Sequence, residues 1–183
     1  MIRKLEYDEI FKRQPTLDEV RRLDRYPISA LIENIRSMHN VGSIFRSSDG
    51  VRLQKLFLTG FTACPPRKEI DKTALGSTDS VPWEFSRDPL PIIEKLKNEN
   101  CRIVVLEHTD KSIPYFAFDY QFPICLVAGN EVEGVSKNII KQADAAIDIP
   151  MLGLKQSLNV SVAFGVVIYH ILCEYLNTKA VNP

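Results

Sequence analysis

The chain has 183 residues, of which 45% are hydrophobic and 25% charged, as in one globular domain of ordinary soluble composition. Its formal net charge of zero argues against a protein that holds nucleic acid by bulk electrostatics alone, although a local basic cluster could still bind RNA. The N-terminus resembles no secretory signal, no apolar run approaches a membrane span, and the scattered cysteines and histidines lack metal-site spacing. We therefore expect a cytoplasmic protein with reduced thiols, no metal and no membrane partner.

The first 27 residues mix charged side chains with a few apolar anchors. Thr16 is followed by an apolar and two acidic residues, as at the start of a helix, so residues 1–27 are predicted to form a helical arm. Arg21, Arg22 and Arg25 gather basic charge on this arm. Two interpretations of them remain open, a solvated helix surface or an arm that contacts RNA.

A strand is predicted at residues 28–34, followed by a helix. Asn40 is a suitable N-cap for that helix, whose apolar residues recur at helical spacing and leave Arg46 off the core face. Residues 55–59 form the next predicted strand. Because α/β proteins place their sites at the C-terminal ends of strands, Arg46 is a candidate functional residue and not merely a solvated one.

Further strands are predicted at residues 83–85, 102–106 and 122–128, and helices at 91–97 and 136–143. Two of these strands, 102–106 and 122–128, are nearly continuous apolar runs, which is typical of a parallel sheet covered on both faces. Strands that alternate with helices predict an α/β domain with a mostly parallel sheet flanked by helices.

The last elements are a short strand around Asp148, closed by Pro150, and a long apolar helix. Ser157 is a plausible N-cap of this helix, while Ser157, Asn159 and Ser161 are three polar side chains at its start. Such groups are caps, parts of a site, or both. A helix that is apolar nearly all round is covered on more than one side, so we expect a partner subunit to cover it.

Familiar phosphate-binding and hydrolytic motifs are absent from the sequence, including GxGxxG, GxxxxGK[ST] and HExxH. Hydride transfer is therefore disfavoured. Three strand ends rich in glycine or asparagine remain, around residues 34–50, 127–134 and 149–161. Loops of this kind offer backbone N–H and C=O groups at close range, which suits a flat uncharged group such as adenine in a mostly apolar pocket.

Three segments resemble, in order, spacing and identity, the motifs of the SpoU (TrmH) family of RNA ribose 2′-O-methyltransferases in the SPOUT superfamily: Asn34 with residues 40–50, residues 126–134, and residues 149–163. The resemblance implies a methyltransferase domain at 28–178, with residues 179–183 as a tail. It also implies a deep C-terminal trefoil knot, roughly residues 125–170, which is an exception to the rule that chains avoid knots. An obligate homodimer is implied as well.

The same resemblance implies S-adenosylmethionine as the cofactor, S-adenosylhomocysteine as the product, and no metal. By motif position, six residues are expected to bind the cofactor, the last two as weaker neighbours: Leu106, Gly129, Ile149, Leu158, Val127 and Leu154.

Arg46 matches the arginine that the family uses to activate the ribose 2′-hydroxyl, and Asn34, Glu131, Ser157 and Asn159 match the polar residues around it. A guanidinium normally stays charged, so two roles remain open. Arg46 is either a base with a strongly lowered pKa, or a cation that orients the hydroxyl and a neighbouring phosphate while the phosphate or a water accepts the proton. Glu131 is expected to anchor loops rather than to act as a base.

Substrate choice is expected to rest with the N-terminal arm, the dimer groove and the loops near Arg67, Lys68 and Lys72, because the chain has no counterpart of the extra RNA-binding domain of larger family members. Structured RNA is recognised by shape and by 2′-hydroxyl and phosphate contacts, which small basic patches can supply. Short members of the family tend to act on tRNA, so the leading prediction is a tRNA 2′-O-methyltransferase. The alternatives are an rRNA 2′-O-methyltransferase and a catalytically silent module that binds S-adenosylmethionine or RNA.

Overall fold

The computed structural model describes residues 2–181. Within them, seven strands form one sheet in the order β3-β2-β1-β6-β4-β7-β5, and every neighbouring pair is parallel. The strands are β1 (Ile28–Glu33), β2 (Lys55–Thr59), β3 (Trp83–Ser86), β4 (Arg102–Leu106), β5 (Ile113–Pro114), β6 (Ile124–Ala128) and β7 (Ala145–Asp148). The predicted α/β fold with a parallel sheet is confirmed.

Helices connect the strands and cover both faces of the sheet. They are α1 (Tyr7–Phe11), α2 (Leu17–Arg22), α3 (Met38–Gly50), α4 (Lys68–Ala74), α5 (Ser77–Ser80), α6 (Leu90–Asn98), α7 (Lys137–Gln142) and α8 (Val160–Val181), with a 3₁₀ turn at Tyr115–Ala117. Buried residues of α3, α4 and α8 pack on one face, and buried residues of α6 and α7 pack on the other. All six residues of β1 are therefore buried, as expected for a central strand of a doubly covered sheet.

The predicted N-cap of α3 is wrong. The helix begins at Met38, and its N-cap is Ser37, whose hydroxyl accepts a hydrogen bond from the Asn40 backbone N–H at 3.3 Å. Asn40 therefore lies in the first turn, where its side chain is free to bond outside the helix.

The predicted N-cap of α8 is also wrong by two residues. The carbonyl of Asn159 accepts a hydrogen bond from the Ala163 backbone N–H, and its side-chain oxygen accepts one from the Ser161 backbone N–H, both at 2.9 Å. Asn159 is thus the N-cap, while Ser157 lies in the loop before it. Both errors have the same cause. Several residues of types that cap helices lie close together in the sequence before each helix, and the path of the preceding loop determines which of them is the N-cap.

Helix α8 is longer and more continuously apolar than the sequence interpretation allowed. By length and composition alone, Val160–Ala180 could cross a membrane, although a core helix of a soluble protein passes the same test. One side of α8 packs on the sheet. The opposite side leaves an exposed stripe at spacings of four and three residues, hereafter the α8 stripe: Val162, Val166, Tyr169, Cys173 and Leu176.

The N-terminal arm packs against the domain through two of its three candidate arginines. Arg25 is partly buried and donates hydrogen bonds to the carbonyls of Leu53, at 3.0 Å, and Ser80. Arg21 donates to the carbonyl of Asp79 at 3.2 Å. These guanidinium groups therefore satisfy backbone carbonyls of the domain, which favours a structural role over an RNA contact for both.

Candidate active site

A cavity of about 480 Å³ opens at the carboxyl ends of β4, β6 and β7, the edge of a parallel sheet at which α/β proteins usually bind ligands. Three chain segments build it: the residues that follow β4, the loop from Gly129 to Gly134, and the long loop between β7 and α8. Its lining combines apolar side chains with amides, hydroxyls and carboxylates. This composition suits an organic ligand that is held by shape and oriented by a few polar groups.

Four of the six predicted cofactor residues line this cavity, namely Leu106, Gly129, Ile149 and Leu158. The two weaker candidates do not. Val127 is fully buried within β6, and Leu154 is 94% exposed in the loop before α8.

The loop after β6 closes tightly upon itself. Asn130 and Gly134 exchange two backbone hydrogen bonds of 2.9 and 3.0 Å, and the Asn130 side-chain oxygen accepts a bond from the Val132 backbone N–H at 2.8 Å. A Cβ on Gly129 would lie 2.3 Å from the backbone of Gly134 and Val135. Only glycine therefore fits at position 129 without moving the loop.

The residues after β4 connect the other two segments of the cavity. The Glu107 carboxylate accepts a hydrogen bond from the Val135 backbone N–H at 2.8 Å, beyond the end of the tight loop. The His108 Nε2 lies 3.1 Å from the carbonyl oxygen of Gln156. Within the described residues, this is the one hydrogen bond that joins residues 150–158 to the rest of the chain. Position 108 therefore tethers the long loop.

A polar network joins all three predicted motifs at the rim of the cavity. The Asn40 side-chain amide donates to the Glu131 carboxylate at 2.9 Å, and the Asn159 amide donates to the Asn40 side-chain oxygen at 3.2 Å. The Arg36 backbone N–H also donates to Glu131, at 3.4 Å. Partial burial alone would raise the pKa of Glu131, but hydrogen bonds from Asn40, from its own backbone and from the backbone of Arg36 and Ser37 outweigh it and lower the pKa.

This network agrees with the anchoring role predicted for Glu131. An ionised carboxylate that accepts hydrogen bonds from the first turn of α3 also faces the positive end of that helix. Such a group is stabilised as the anion, and its lowered pKa makes it a poor proton acceptor near neutral pH.

The predicted catalytic residues divide into two groups. Glu131, Ser157 and Asn159 line the cavity, whereas Asn34 and Arg46 do not. Asn34 lies next to it in a left-handed conformation, with φ of 57°, and its carbonyl accepts a 2.8 Å hydrogen bond from the side chain of Asn130, a lining residue.

Arg46 is exposed on α3 and lines a different cavity of about 680 Å³ together with Ser43, Ser47, Lys72 and Tyr169. Within residues 2–181 its guanidinium has neither a hydrogen bond nor an ion pair. The Asp49 carboxylate lines the same cavity, but a guanidinium that has no hydrogen-bond or ion-pair partner keeps its donors available to an anionic group of a substrate.

Sequence reasoning missed four residues of the site: Asn40 as a network member, Glu107, His108 and Asn130. A usable signal existed for Glu107 and His108, since they follow a buried strand directly, and the ends of parallel strands gather at one edge. Asn40 belongs to the first family motif, but the sequence assigns it only the role of a helix cap and not that of a partner of Glu131 and Asn159. No group of three His, Cys, Asp or Glu side chains that could hold a metal ion occurs among the described residues.

Comparison with known proteins identifies the family. The model of the SpoU rRNA Methylase family matches residues 27–169, which include all seven strands and the first part of α8. The chain belongs to this family. The predicted family and enzyme class are thereby confirmed, and the chain is a methyltransferase of the S-adenosylmethionine-dependent SpoU type.

Named relatives and solved structures agree. The tRNA (guanosine(18)-2′-O)-methyltransferase of Aquifex aeolicus is 34% identical over 90% of this chain and 78% of its own length. The enzyme of the same name from Escherichia coli K12 is 28% identical to this chain. The alignment covers 78% of this chain and 61% of the E. coli enzyme. The crystal structure of the A. aeolicus TrmH/SpoU tRNA modifying enzyme has a TM-score of 0.80 and 31% identity, covering 94% of this chain and 85% of the other.

Proposed function

We propose that the chain transfers a methyl group from S-adenosylmethionine to a ribose 2′-hydroxyl of tRNA. One observation carries the proposal: the cavity at the strand ends is lined by the four main cofactor candidates, and the Glu131–Asn40–Asn159 network stands at its rim. The relatives named as tRNA (guanosine(18)-2′-O)-methyltransferases support tRNA as the substrate.

The cavity fits the proposed cofactor in size and chemistry. Its volume of about 480 Å³ lies within the range of about 300–1,000 Å³ that is usual for small-molecule sites. Leu106, Ile149 and Leu158 supply apolar surface, and the tight loop after Gly129 presents backbone groups at close range. When bound there, S-adenosylmethionine supplies a sulfonium methyl group that is already strongly electrophilic.

The protein therefore has to align the attacking hydroxyl and manage its proton. We assign the alignment to the rim network, in which Asn159 lines the cavity and Glu131 fixes the orientation of Asn40, and to Ser157, which lines the cavity beside Asn159. Arg46 is assigned the role of an orienting cation that binds the phosphate next to the target ribose. Its exposure supports this choice over that of a base, because an exposed planar guanidinium presents its N–H donors to a phosphate.

A homodimer is part of the proposal, and the α8 stripe is its expected interface. Apolar side chains at spacings of four and three residues form the seam along which two helices pack. Tyr169 of the stripe also lines the cavity that contains Arg46. A partner that covers the stripe would consequently lie against Arg46 and complete its surroundings.

The dimer can be tested on the stripe itself. Val166→Glu places a charge in the expected seam and should convert the protein to a monomer in sedimentation measurements. The exposed thiol of Cys173 should then react faster with a thiol reagent than it does in the wild-type protein. Lys155→Glu changes charge in an exposed loop outside the stripe and serves as the control. A wild-type protein that sediments as a monomer would contradict the dimer.

The remaining structural expectations are retained in the proposal. They are a domain at residues 28–178 with an arm at 1–27, a trefoil knot at roughly 125–170, and a cytoplasmic location. The long loop before α8 lies within the proposed knot, and a loop that borders the cofactor cavity there is compatible with it. Helix α8 continues to Val181, through the first residues of the predicted tail.

The deciding experiment is transfer of labelled methyl from S-adenosylmethionine to bulk tRNA and, separately, to bulk rRNA, both from cells that lack this protein. We expect label in tRNA, in a dinucleotide that resists alkali because its 2′-hydroxyl is methylated. Label only in rRNA would establish rRNA as the substrate instead. This alternative is retained because other relatives are named "Putative TrmH family tRNA/rRNA methyltransferase". Cofactor binding in calorimetry without transfer to either pool would favour the catalytically silent module.

A further inference from the structure

An aromatic ring and a guanidinium lie together on the surface beside the candidate active site. Phe61 follows β2 and is 56% exposed, although it is a large apolar residue. The Cζ atom of Arg36 lies 6.0 Å from the centroid of its ring. We refer to Phe61 and Arg36 as the Phe61 platform.

Both members of the platform are fixed by their backbones to predicted site residues. The Phe61 backbone N–H donates to the Asn34 side-chain oxygen at 3.1 Å, and the Arg36 backbone N–H donates to the Glu131 carboxylate at 3.4 Å. Asn34 in turn accepts a hydrogen bond from Asn130, which lines the cofactor cavity. Arg36 is thus bonded directly to a residue that lines the cavity, and Phe61 is joined to the lining through Asn34.

Stability does not account for this arrangement. An exposed cation–π pair contributes little to stability, and an exposed ring adds little buried apolar area. Within residues 2–181 the Arg36 guanidinium has no hydrogen bond or ion pair, so its donors are available to a ligand. The ring likewise keeps more than half of its surface open to one.

We propose that the Phe61 platform stacks an unpaired nucleobase of the RNA substrate, next to the ribose that is methylated. This inference rests on the proposed RNA substrate. Proteins recognise unstacked RNA bases by stacking them on aromatic rings and on arginine planes, and every base offers a π-face. Single-stranded loops of an RNA present such unstacked bases, and a platform at the cavity rim can hold one of them beside the ribose to be methylated.

The test compares Phe61→Ala with Phe116→Ala. Phe116 is a matched control because it is 61% exposed and lies in the 3₁₀ turn at Tyr115–Ala117, on a different segment. The loss of one stacked base should raise the KM for tRNA by about five- to a hundredfold in the Phe61 variant, with cofactor affinity and thermal midpoint unchanged. Phe116→Ala should leave all three quantities at wild-type values.

Two further variants distinguish stacking from packing. Phe61→Tyr keeps the aromatic face and should retain wild-type KM, whereas Phe61→Leu keeps apolar bulk without a π-system and should behave like the alanine variant. Arg36→Lys keeps the charge but removes the planar group, and we expect an intermediate KM. A wild-type KM in Phe61→Ala, or a lowered cofactor affinity or thermal midpoint that accounts for the raised KM, would overturn the platform.

Equilibrium binding of tRNA separates this inference from the proposed function. If the wild-type protein binds tRNA without methylating it, the proposed function fails, but weaker binding by Phe61→Ala than by Phe116→Ala still supports the platform. If both variants bind tRNA equally, or if the wild-type protein binds neither tRNA nor rRNA, the platform is overturned whatever the enzyme assay shows.

Discussion

The Glu131 carboxylate accepts a 2.9 Å hydrogen bond from the side chain of Asn40, 91 residues earlier in the chain. This bond joins the loop after β6 to the first turn of α3, and through Asn159 it continues to the start of α8. The network holds three separate segments in one geometry. Its stability should consequently depend on the ionisation of Glu131.

The first prediction concerns this acid dependence. The pKa of Glu131 is below its usual 4.5 in the folded protein, so fewer protons are bound by the folded than by the unfolded chain at intermediate pH. The stabilisation is fully present above the unfolded pKa and is lost as pH falls through the folded pKa. Glu131→Gln should therefore lower the thermal midpoint at pH 7 by no more than about 2 °C, because the group is solvent-screened, and the difference should vanish at lower pH.

Glu133→Gln is the control for the acid dependence, since Glu133 is an exposed neighbour whose carboxylate makes no hydrogen bond within the described residues. The measurement is the thermal midpoint of the wild type, Glu131→Gln and Glu133→Gln at a series of pH values between 7 and 3. A wild-type-minus-Glu131→Gln difference that grows towards low pH would contradict the assigned sign.

The second prediction concerns the tether of the long loop. His108→Ala removes the hydrogen bond to the Gln156 carbonyl and should weaken S-adenosylmethionine binding about two- to tenfold, because one bond contributes about 0.5–1.5 kcal/mol. His108→Gln retains a side-chain N–H and should recover part of the affinity. His39→Ala, at an exposed position on α3, is the control in calorimetry. Equal cofactor affinity in His108→Ala and wild type would show that the loop is held by other means.

The third prediction concerns the tight loop after β6. Gly129→Ala places a Cβ 2.3 Å from the Gly134 backbone, and such overpacking costs about 1–3 kcal/mol. The thermal midpoint should fall by about 2–4 °C for each kcal/mol, and cofactor binding should be lost in calorimetry. Gly153→Ala is the matched control because a Cβ there meets no atom within 4 Å. Unchanged cofactor affinity in Gly129→Ala would mean that this loop does not shape the binding site.

The fourth prediction separates the arginines of the N-terminal arm. Arg25→Met removes donors to the Leu53 and Ser80 carbonyls and should destabilise the protein by about 1–3 kcal/mol, the effect of leaving such groups unpaired. Arg22→Met, at an exposed position, should leave the thermal midpoint unchanged. Midpoints and tRNA affinities over a range of salt concentrations are the measurements. A smaller salt slope in Arg25→Met at unchanged stability would restore the RNA-contact interpretation.

The sequence predicted the sheet well because its strands carry strong local signals. The apolar runs at 55–59 and 102–106 coincide with the observed bounds of β2 and β4. Such runs are typical of strands covered on both faces, so the parallel α/β class follows from local composition and the alternation of elements. The family motifs then located most of the cavity lining, including Gly129 and Ile149.

The interactions that join distant segments could not be predicted in the same way. The hydrogen bond from Asn159 to Asn40 spans 119 residues, and that from His108 to Gln156 spans 48, so neither leaves a local pattern. The dual use of Asn40 was hidden for the same reason, because a helix N-terminus accounts for an asparagine without any distant partner. For the arm arginines, the sequence left a solvated surface and an RNA contact open, because the hydrogen bonds of Arg25 to the carbonyls of Leu53 and Ser80 span 28 and 55 residues.

The last prediction concerns Arg46, which lies outside the cavity that is proposed to hold the cofactor. Arg46→Ala should lower the rate of methyl transfer by at least about a hundredfold, while the cofactor affinity in calorimetry stays at the wild-type value. Loss of cofactor binding in a folded Arg46→Ala protein would show that the role assignment is wrong. Arg46→Lys keeps the charge without the planar group and should retain only part of the activity.

The proposed dimer adds a sharper outcome for the same residue. Because Arg46 borders the α8 stripe through Tyr169, we expect it to act on the substrate held at the partner's cavity. Arg46→Ala and Asn159→Ala should each be inactive alone, yet mixing them under conditions that exchange subunits should restore part of the activity. In a mixed dimer, one site then combines an intact cavity with an intact arginine. If each subunit used its own Arg46, every site in the mixture would carry one defect, and no activity would return.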